Sequence, residues 1–226
     1  MTIHRIEQGS PEWFALRLGK VTASRVKDVC ATIKNGWGAG RRNYAAELVV
    51  ERLTGETFES YCSIDMKNGS EREPQARMEY ELLKRCEVEQ VGYADHPTIE
   101  MAGGSVDGFV GAYGFIEIKC PKAATHLAYL RGNVVPAEYT HQIDWNFACN
   151  PDREWCDFVS YHPAFPPEMQ LFVATMLRST DRIETLEGIV RGFLEEVDEA
   201  VNELRARYIN GSNTLMDKLR QSAEAS

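Results

Sequence analysis

Apolar positions recur along this chain with two different periods, and the changeover between them marks its architecture. From Thr180 to about Tyr208 the stripe Ile183, Leu186, Ile189, Val190, Phe193, Val197, Val201 and Leu204 returns every three or four residues, which predicts a long amphipathic helix. Ala123–Leu130 and Ala137–Cys149 carry the same period over shorter lengths, as does Tyr44–Leu53, which stops at Gly55. Asp65–Cys86 also reads as helix, with Met78, Leu82 and Leu83 on one face and a kink at Pro74. Near the start, Ser10 and Pro11 suit an N-cap and a first helical residue, and that helix ends near Gly19. Thr22-Ala23-Ser24 opens another short helix, to about Cys30, and Asn35–Gly40 predicts a flexible loop. In the middle the period drops to two. Val88–Tyr93, Ile99–Ala102, Val106–Val110 and Tyr113–Cys120 are short β-rich segments parted by Gly or Pro, and Asp157–Tyr161 and Leu171–Leu177 are two more.

Helices, then a strand cluster, then helix and strand again predict an α/β fold, a central mixed β-sheet flanked by helices on both faces. One domain over residues 1–226 is expected. Its parts are a helical portion at about 1–60, a core at about 61–178, the long helix at about 179–210 and a frayed tail over 211–226.

Composition narrows the function classes. The chain has 226 residues, 25 basic and 34 acidic side chains, and a formal charge of −9. That balance argues against a protein that coats nucleic acid through a broad basic surface, but not against one with its cations gathered in a channel. Only the first sixty residues are net positive, with 9 Lys/Arg against 7 Asp/Glu, so that part is the better candidate for gripping phosphate. Six scattered cysteines, with no CxxC, read as reduced thiols rather than as a zinc site, a disulfide framework or an iron–sulfur cluster. Neither a signal peptide nor a membrane span is visible, so a soluble, cytoplasmic protein is expected.

The chemistry concentrates in Ser105-Val-Asp107-Gly and Gly114-Phe-Ile-Glu117-Ile-Lys119-Cys-Pro121. A turn over Gly111–Gly114 makes these adjacent strands. Glu117 and Lys119, two apart, then share a face with Asp107, while Ile116 and Ile118 point the other way. Neighbouring carboxylates repel unless a cation joins them, and an all-oxygen site favours a hard divalent ion such as Mg2+. The Ile118 carbonyl is a further candidate ligand. Lys119 suits the orientation or deprotonation of an attacking water, with nearby cations depressing its pKa. Taken alone, Asp-x9-Glu-x-Lys also fits a solvated hairpin with a cross-strand ion pair.

Four blocks in order change that weighting. They are Trp13-Phe-Ala-Leu-Arg17-Leu-Gly-Lys-Val-Thr-Ala-Ser24, Gly69-Ser-Glu-Arg-Glu73-Pro-Gln-Ala-Arg77, the Asp107/Glu117/Lys119 stretch, and Tyr139-Thr-His-Gln142. With them the chain resembles the lambda-type phage exonucleases, the YqaJ-like viral recombinase family within the PD-(D/E)xK nucleases. The resemblance implies a restriction-endonuclease-like core and a Mg2+-dependent 5′→3′ exonuclease acting on one strand of duplex DNA. It implies two Mg2+ per site, with Mn2+ as a substitute. Asp107, Glu117 and the Ile118 carbonyl would be ligands, Glu73 would act beside them directly or through water, and Lys119 would be catalytic. Arg17, Ser24, Ser105 and Gln142 would bind the 5′-phosphorylated end. It further implies a ring-shaped homotrimer, a single-strand annealing protein as partner, and a phage or prophage origin.

Val106 stands where the group name has Pro, and Trp145-Asn146 where many relatives carry Tyr. Met66 lies where an apolar wedge could split a base pair, although a core methionine is the better reading. His126 and His141 read as structural, and no Cys–His–Asn set accompanies Cys120. A restriction-like or repair endonuclease on the same core, and a non-catalytic DNA-end-binding module, are the alternatives.

Overall fold

A computed structural model describes residues 2–34, 36–58 and 64–210; the side chains of 64–70 and 210 lie outside the description. The Met66 wedge and the fraying after Gly211 therefore fall outside the described residues.

Along the chain come β1 (Ile3–His4), α1 (Pro11–Arg17), β2 (Val21–Thr22), a 3-10 turn (Ala23–Arg25), α2 (Val26–Val29), β3 (Thr32–Ile33) and β4 (Gly36–Trp37). Next are α3 (Ala39–Thr54), α4 (Ile64–Lys84), β5 (Val88–Glu89), β6 (Tyr93–Asp95), β7 (Ala102–Gly104), β8 (Gly108–Val110) and β9 (Gly114–Lys119). The remainder is α5 (Ala123–Gly132), α6 (Ala137–Cys149), β10 (Trp155–Tyr161), β11 (Leu171–Leu177) and α7 (Thr180–Leu204).

The central sheet has the order β11-β10-β9-β8-β5. β9 and β10 run parallel because α5 and α6 carry the chain back between them, and the other pairs are antiparallel. This is the mixed sheet that the pattern predicts. A smaller sheet, β1-β6-β7-β2, joins the N-terminal segments to the middle of the chain. Alternation along β9 sorts the core into two clusters. Ile116 and Ile118 pack with Ala76 and Tyr80 of α4, whereas Phe115 joins the larger cluster with α6 and α7. Helices thus cover both faces, and every residue from Cys156 to Tyr161 is buried, as a central strand requires.

Local signals work as expected at several ends. Ser10 Oγ accepts the Trp13 N–H at 3.2 Å, and Gly55 closes α3 with φ 74°. Three expectations need correcting. Met78, Leu82 and Leu83 are more than half exposed, because α4 turns Ala76 and Tyr80 to the sheet instead. The expected loop at 35–40 contains β4, paired with β3, and then the first turn of α3, with Trp37 stacked 3.9 Å from the Arg41 guanidinium. The long terminal helix stops being α-helical at Leu204 and continues as a π-helical turn over Arg205–Asn210. Among the described residues no helix is long and apolar enough to cross a membrane.

Candidate active site

The β8–β9 hairpin builds the site from its backbone outward. Asp107 precedes β8; its N–H donates to the Ile116 carbonyl at 3.2 Å, and its Oδ2 accepts the Ile118 N–H at 2.5 Å. These two bonds hold the Asp107 carboxylate against the strand that carries Glu117 and Lys119. Lys119 Nζ lies 2.5 Å from Glu117 Oε1. The Glu117 side chain is only 1% exposed, so its charge depends on these partners.

α6 supplies the rest of Glu117's environment. Gln142 Nε2 donates to Oε1 at 2.5 Å, and Asn146 Nδ2 donates to Oε2 at 3.3 Å. Tyr139, Gln142 and Asn146 form one stripe of that helix, and Lys119 Nζ lies 5.3 Å from the Tyr139 ring centre. Glu73 comes from α4, which packs on the face of the sheet opposite α6. Burial first, and then the charge of Asp107, push its carboxyl up to about 7. Burial also moves Glu117 up to about 7, against the pull of Lys119 and with the repulsion of Asp107 and Glu73. Asp107 is raised by burial as well, opposed by Lys119 and the Ile118 N–H. Burial works against the Lys119 charge, but Glu117 and Asp107 outweigh it and hold the ammonium protonated. As the side chains stand, Lys119 is therefore a cation.

The set is short of positive charge. Three mutually repelling carboxylates face the Lys119 ammonium and, at longer range, the Arg77 guanidinium, and an all-oxygen donor set of this kind fits a hard divalent cation. Among the described residues no group of three or more His, Cys, Asp or Glu is gathered tightly enough to enclose a metal as the side chains stand. The Glu117 oxygens are instead taken up by Lys119, Gln142 and Asn146, and Asp107 Oδ2 by a backbone N–H.

Glu73 and Asp107 also line a cavity of about 1080 Å³ that reaches the N-terminal helices. Arg17 lines it, stacked 3.9 Å over Trp13, with Nη2 3.5 Å from Thr22 Oγ1. Trp13 Nε1 in turn donates to Ser105 Oγ at 3.0 Å and to the Gly92 carbonyl at 3.1 Å. Arg17 and Ser105 are therefore joined through an indole. Of the sequence-predicted residues, Glu73, Asp107 and Arg17 line this space; Glu117 and Lys119 interact with these carboxylates without lining it, and Ser105 reaches Arg17 through Trp13. Ser24 does not join them by any hydrogen bond among the described residues; it is exposed on the 3-10 turn, whose N-cap is Thr22. Gln142, expected at the DNA end, is turned onto Glu117.

Sequence reading missed Asn146, which is fully buried, and Arg77, which lines the cavity one turn after Glu73. The signal for Asn146 was present: amides four residues apart, Gln142 and Asn146, in a run otherwise dominated by buried apolar residues. His126 is structural, bonded to Ser160 Oγ and the Met169 carbonyl at 2.8 Å each. Burial pushes the Cys120 thiol up to about 12, so it carries almost no thiolate at neutral pH.

Comparison with known proteins gives two kinds of match. A family model, the YqaJ-like viral recombinase domain, matches residues 12–152. The fold is similar to an alkaline exonuclease, LHK-Exo from Laribacter hongkongensis, at 42% identity and TM-score 0.82, covering 89% of this chain and 99% of that one. A second structure, LHK-Exo in complex with dAMP, matches with the same identity and coverage at TM-score 0.83. A phage-related exonuclease from Haemophilus somnus 129PT shares the fold at 16% identity and TM-score 0.67, covering 82% of this chain and 96% of that one. No curated protein matches the chain.

Proposed function

Because the chain belongs to the YqaJ-like viral recombinase family, we propose that it is a DNA nuclease, and specifically a Mg2+-dependent 5′→3′ exonuclease. It degrades one strand of duplex DNA from a 5′-phosphorylated end, releasing mononucleotides and leaving a 3′ overhang for recombination by single-strand annealing. One observation carries this reading: three carboxylates and Lys119 meet beside a cavity that also holds Arg17. LHK-Exo, an alkaline exonuclease at 42% identity, supports the activity, and its complex with dAMP supports a nucleotide-sized product.

Asp107, Glu117 and the Ile118 carbonyl would hold the metal, with Glu73 alongside, and bound Mg2+ would supply charge stabilisation at the scissile phosphate, two ions per site and Mn2+ as a substitute. The chain's own groups do the positioning. Gln142 and Asn146 fix Glu117, so its carboxylate arrives pre-oriented. Lys119, held as an ammonium, orients the attacking water and stabilises charge on the phosphate. Arg17 has no ion pair among the described residues, and its fork suits the terminal 5′-phosphate. Ser105 steadies that end through Trp13. The chain, read as one nuclease domain over 1–226, assembles as a ring-shaped homotrimer on duplex ends and hands its overhang to an annealing protein. It works in the cytoplasm of a bacterial host and is encoded by a phage or prophage.

The test compares end-labelled linear duplex with covalently closed circular DNA in Mg2+. Mononucleotides released from the 5′ end, with the circle intact, is the expected result. Linearisation of the circle would replace the exonuclease by a restriction-like or repair endonuclease on the same core.

A further inference from the structure

Four cationic side chains line the cavity, and they divide by what balances them. Lys20 lies 2.8 Å from Asp95, and Arg25 lies 2.7 Å from both Asp28 and Glu47. Arg17 and Arg77 make no ion pair among the described residues. Arg17 rests on the Trp13 ring. Arg77 is partly buried on α4, one turn after Glu73, and both its terminal nitrogens face the Gln90 amide, whose oxygen accepts from them when the amide is oriented to satisfy both groups. Its Nε is buried without any partner. The Arg77 charge acts on the Glu73 and Asp107 carboxyls, yet neither is within ion-pair distance.

A guanidinium taken out of water is costly unless an anion meets it. The fold supplies that anion for Lys20 and Arg25 and withholds it from Arg17 and Arg77. The two differ in place as well: Arg17 belongs to the N-terminal helices, whereas Arg77 stands beside the carboxylates where the chemistry is set. Beyond the Gln90 contact each terminal nitrogen keeps a second N–H, and such charged donors suit phosphate oxygens.

We propose that Arg77 binds the non-bridging oxygens of the scissile phosphodiester, forming a phosphate station distinct from the one that Arg17 provides for the 5′ terminus. The inference rests on the nuclease reading above and names a further substrate-contacting residue for it. Arg77 takes up charge that grows on those oxygens as the leaving group departs. Its neutral partner Gln90 fixes the fork without competing for the charge.

The experiment uses duplex DNA with a single neutral methylphosphonate at the first internucleotide linkage of the strand to be cut. Binding in EDTA is measured for wild type, Arg77→Met, Arg77→Lys and Arg17→Met, with melting curves on each. Wild type should bind the modified end about ten- to a hundred-fold more weakly than the normal one. Arg77→Met should bind both ends equally, at the weaker level. Arg77→Lys, which keeps the charge but not the fork, should show an intermediate penalty, and it decides the matter if the Met variant does not fold. Arg17→Met should retain the full penalty while losing its preference for a 5′-phosphate. An undiminished penalty in Arg77→Met, or a wild-type-like Arg77→Lys, would make Arg77 a mere counter-ion and overturn the proposal. If the wild type still digests normal duplex in Mg2+, only this proposal falls. If the wild type neither binds nor digests duplex ends, the nuclease reading falls and this one with it.

Discussion

Replacing Glu117 by Gln should make the metal-free protein more stable at alkaline pH while destroying its activity. The Glu117 side chain is 1% exposed, and its carboxyl is moved from the ordinary 4.5 up to about 7, by burial and by its carboxylate neighbours against the pull of Lys119. A carboxyl raised in the folded state stabilises the fold only while both states are protonated. That contribution is complete below about 4.5 and is lost as pH rises to about 7. Above that window, holding Glu117 ionised costs the fold on the order of 3 kcal/mol. Gln resembles the protonated acid, so the variant and wild type should melt together near pH 5. At pH 8 in EDTA the variant should melt about 6–12 °C higher, at roughly 2–4 °C per kcal/mol for a chain of this size. Adding MgCl2 at pH 8 should raise wild type and leave the variant nearly unmoved, because a cation relieves the repulsion only where the carboxylate is present. Thermal melts followed by circular dichroism across this pH range measure all three effects. Equal melting of the two proteins at pH 8 in EDTA would refute the reasoning, since Glu117 would then carry no electrostatic strain.

Arg17→Ala should abolish the preference for a 5′-phosphorylated end more than it lowers digestion of an unphosphorylated one, read as initial rates on paired substrates; equal losses would place Arg17 elsewhere. Gly104→Ala should lower kcat with KM nearly unchanged, because the added Cβ would sit 2.5 Å from Asn146 Oδ1 and displace the amide that holds Glu117. Overpacking there should also cost about 1–3 kcal/mol in urea unfolding. His96 accepts the N–H groups of Thr98 and Ile99 on Nδ1, and burial pushes its pKa from 6.5 down to about 4. A depressed histidine stabilises the fold above about 6.5, and that support is lost as pH falls toward 4, by up to about 3 kcal/mol. Titration of the His96 ring by NMR checks it, and an ordinary midpoint would contradict the prediction. The wild-type minus Glu117→Gln difference cancels this histidine and keeps the two effects apart.

Much of the fold is legible where local chemistry and burial agree. α6 and β11 fall on their predicted limits; Pro136 and Asn150-Pro151 mark the ends of α6, and polar residues bound the apolar run of β11. The β8–β9 hairpin and the shared face of Glu117 and Lys119 follow from strand alternation alone. α4 misleads, because which of its two apolar faces packs is decided by the sheet it meets. Ala76 and Tyr80 win that face, with Tyr80 donating to Asp157 at 2.9 Å. The site is legible in membership but not in wiring. That Gln142 and Asn146 grip Glu117 depends on the crossing of α6 over β9, which no spacing encodes. The state of Lys119 depends on Asp107 and on its burial as well as on Glu117, so its charge could not be read from the strand alone.

Digestion of a 5′-phosphorylated linear duplex in Mg2+, by wild type and by Asp107→Ala, tests the central claim most directly. The wild type should release mononucleotides, and the variant, folded by circular dichroism, should release none above background. Undiminished release by the Asp107→Ala protein would contradict the account.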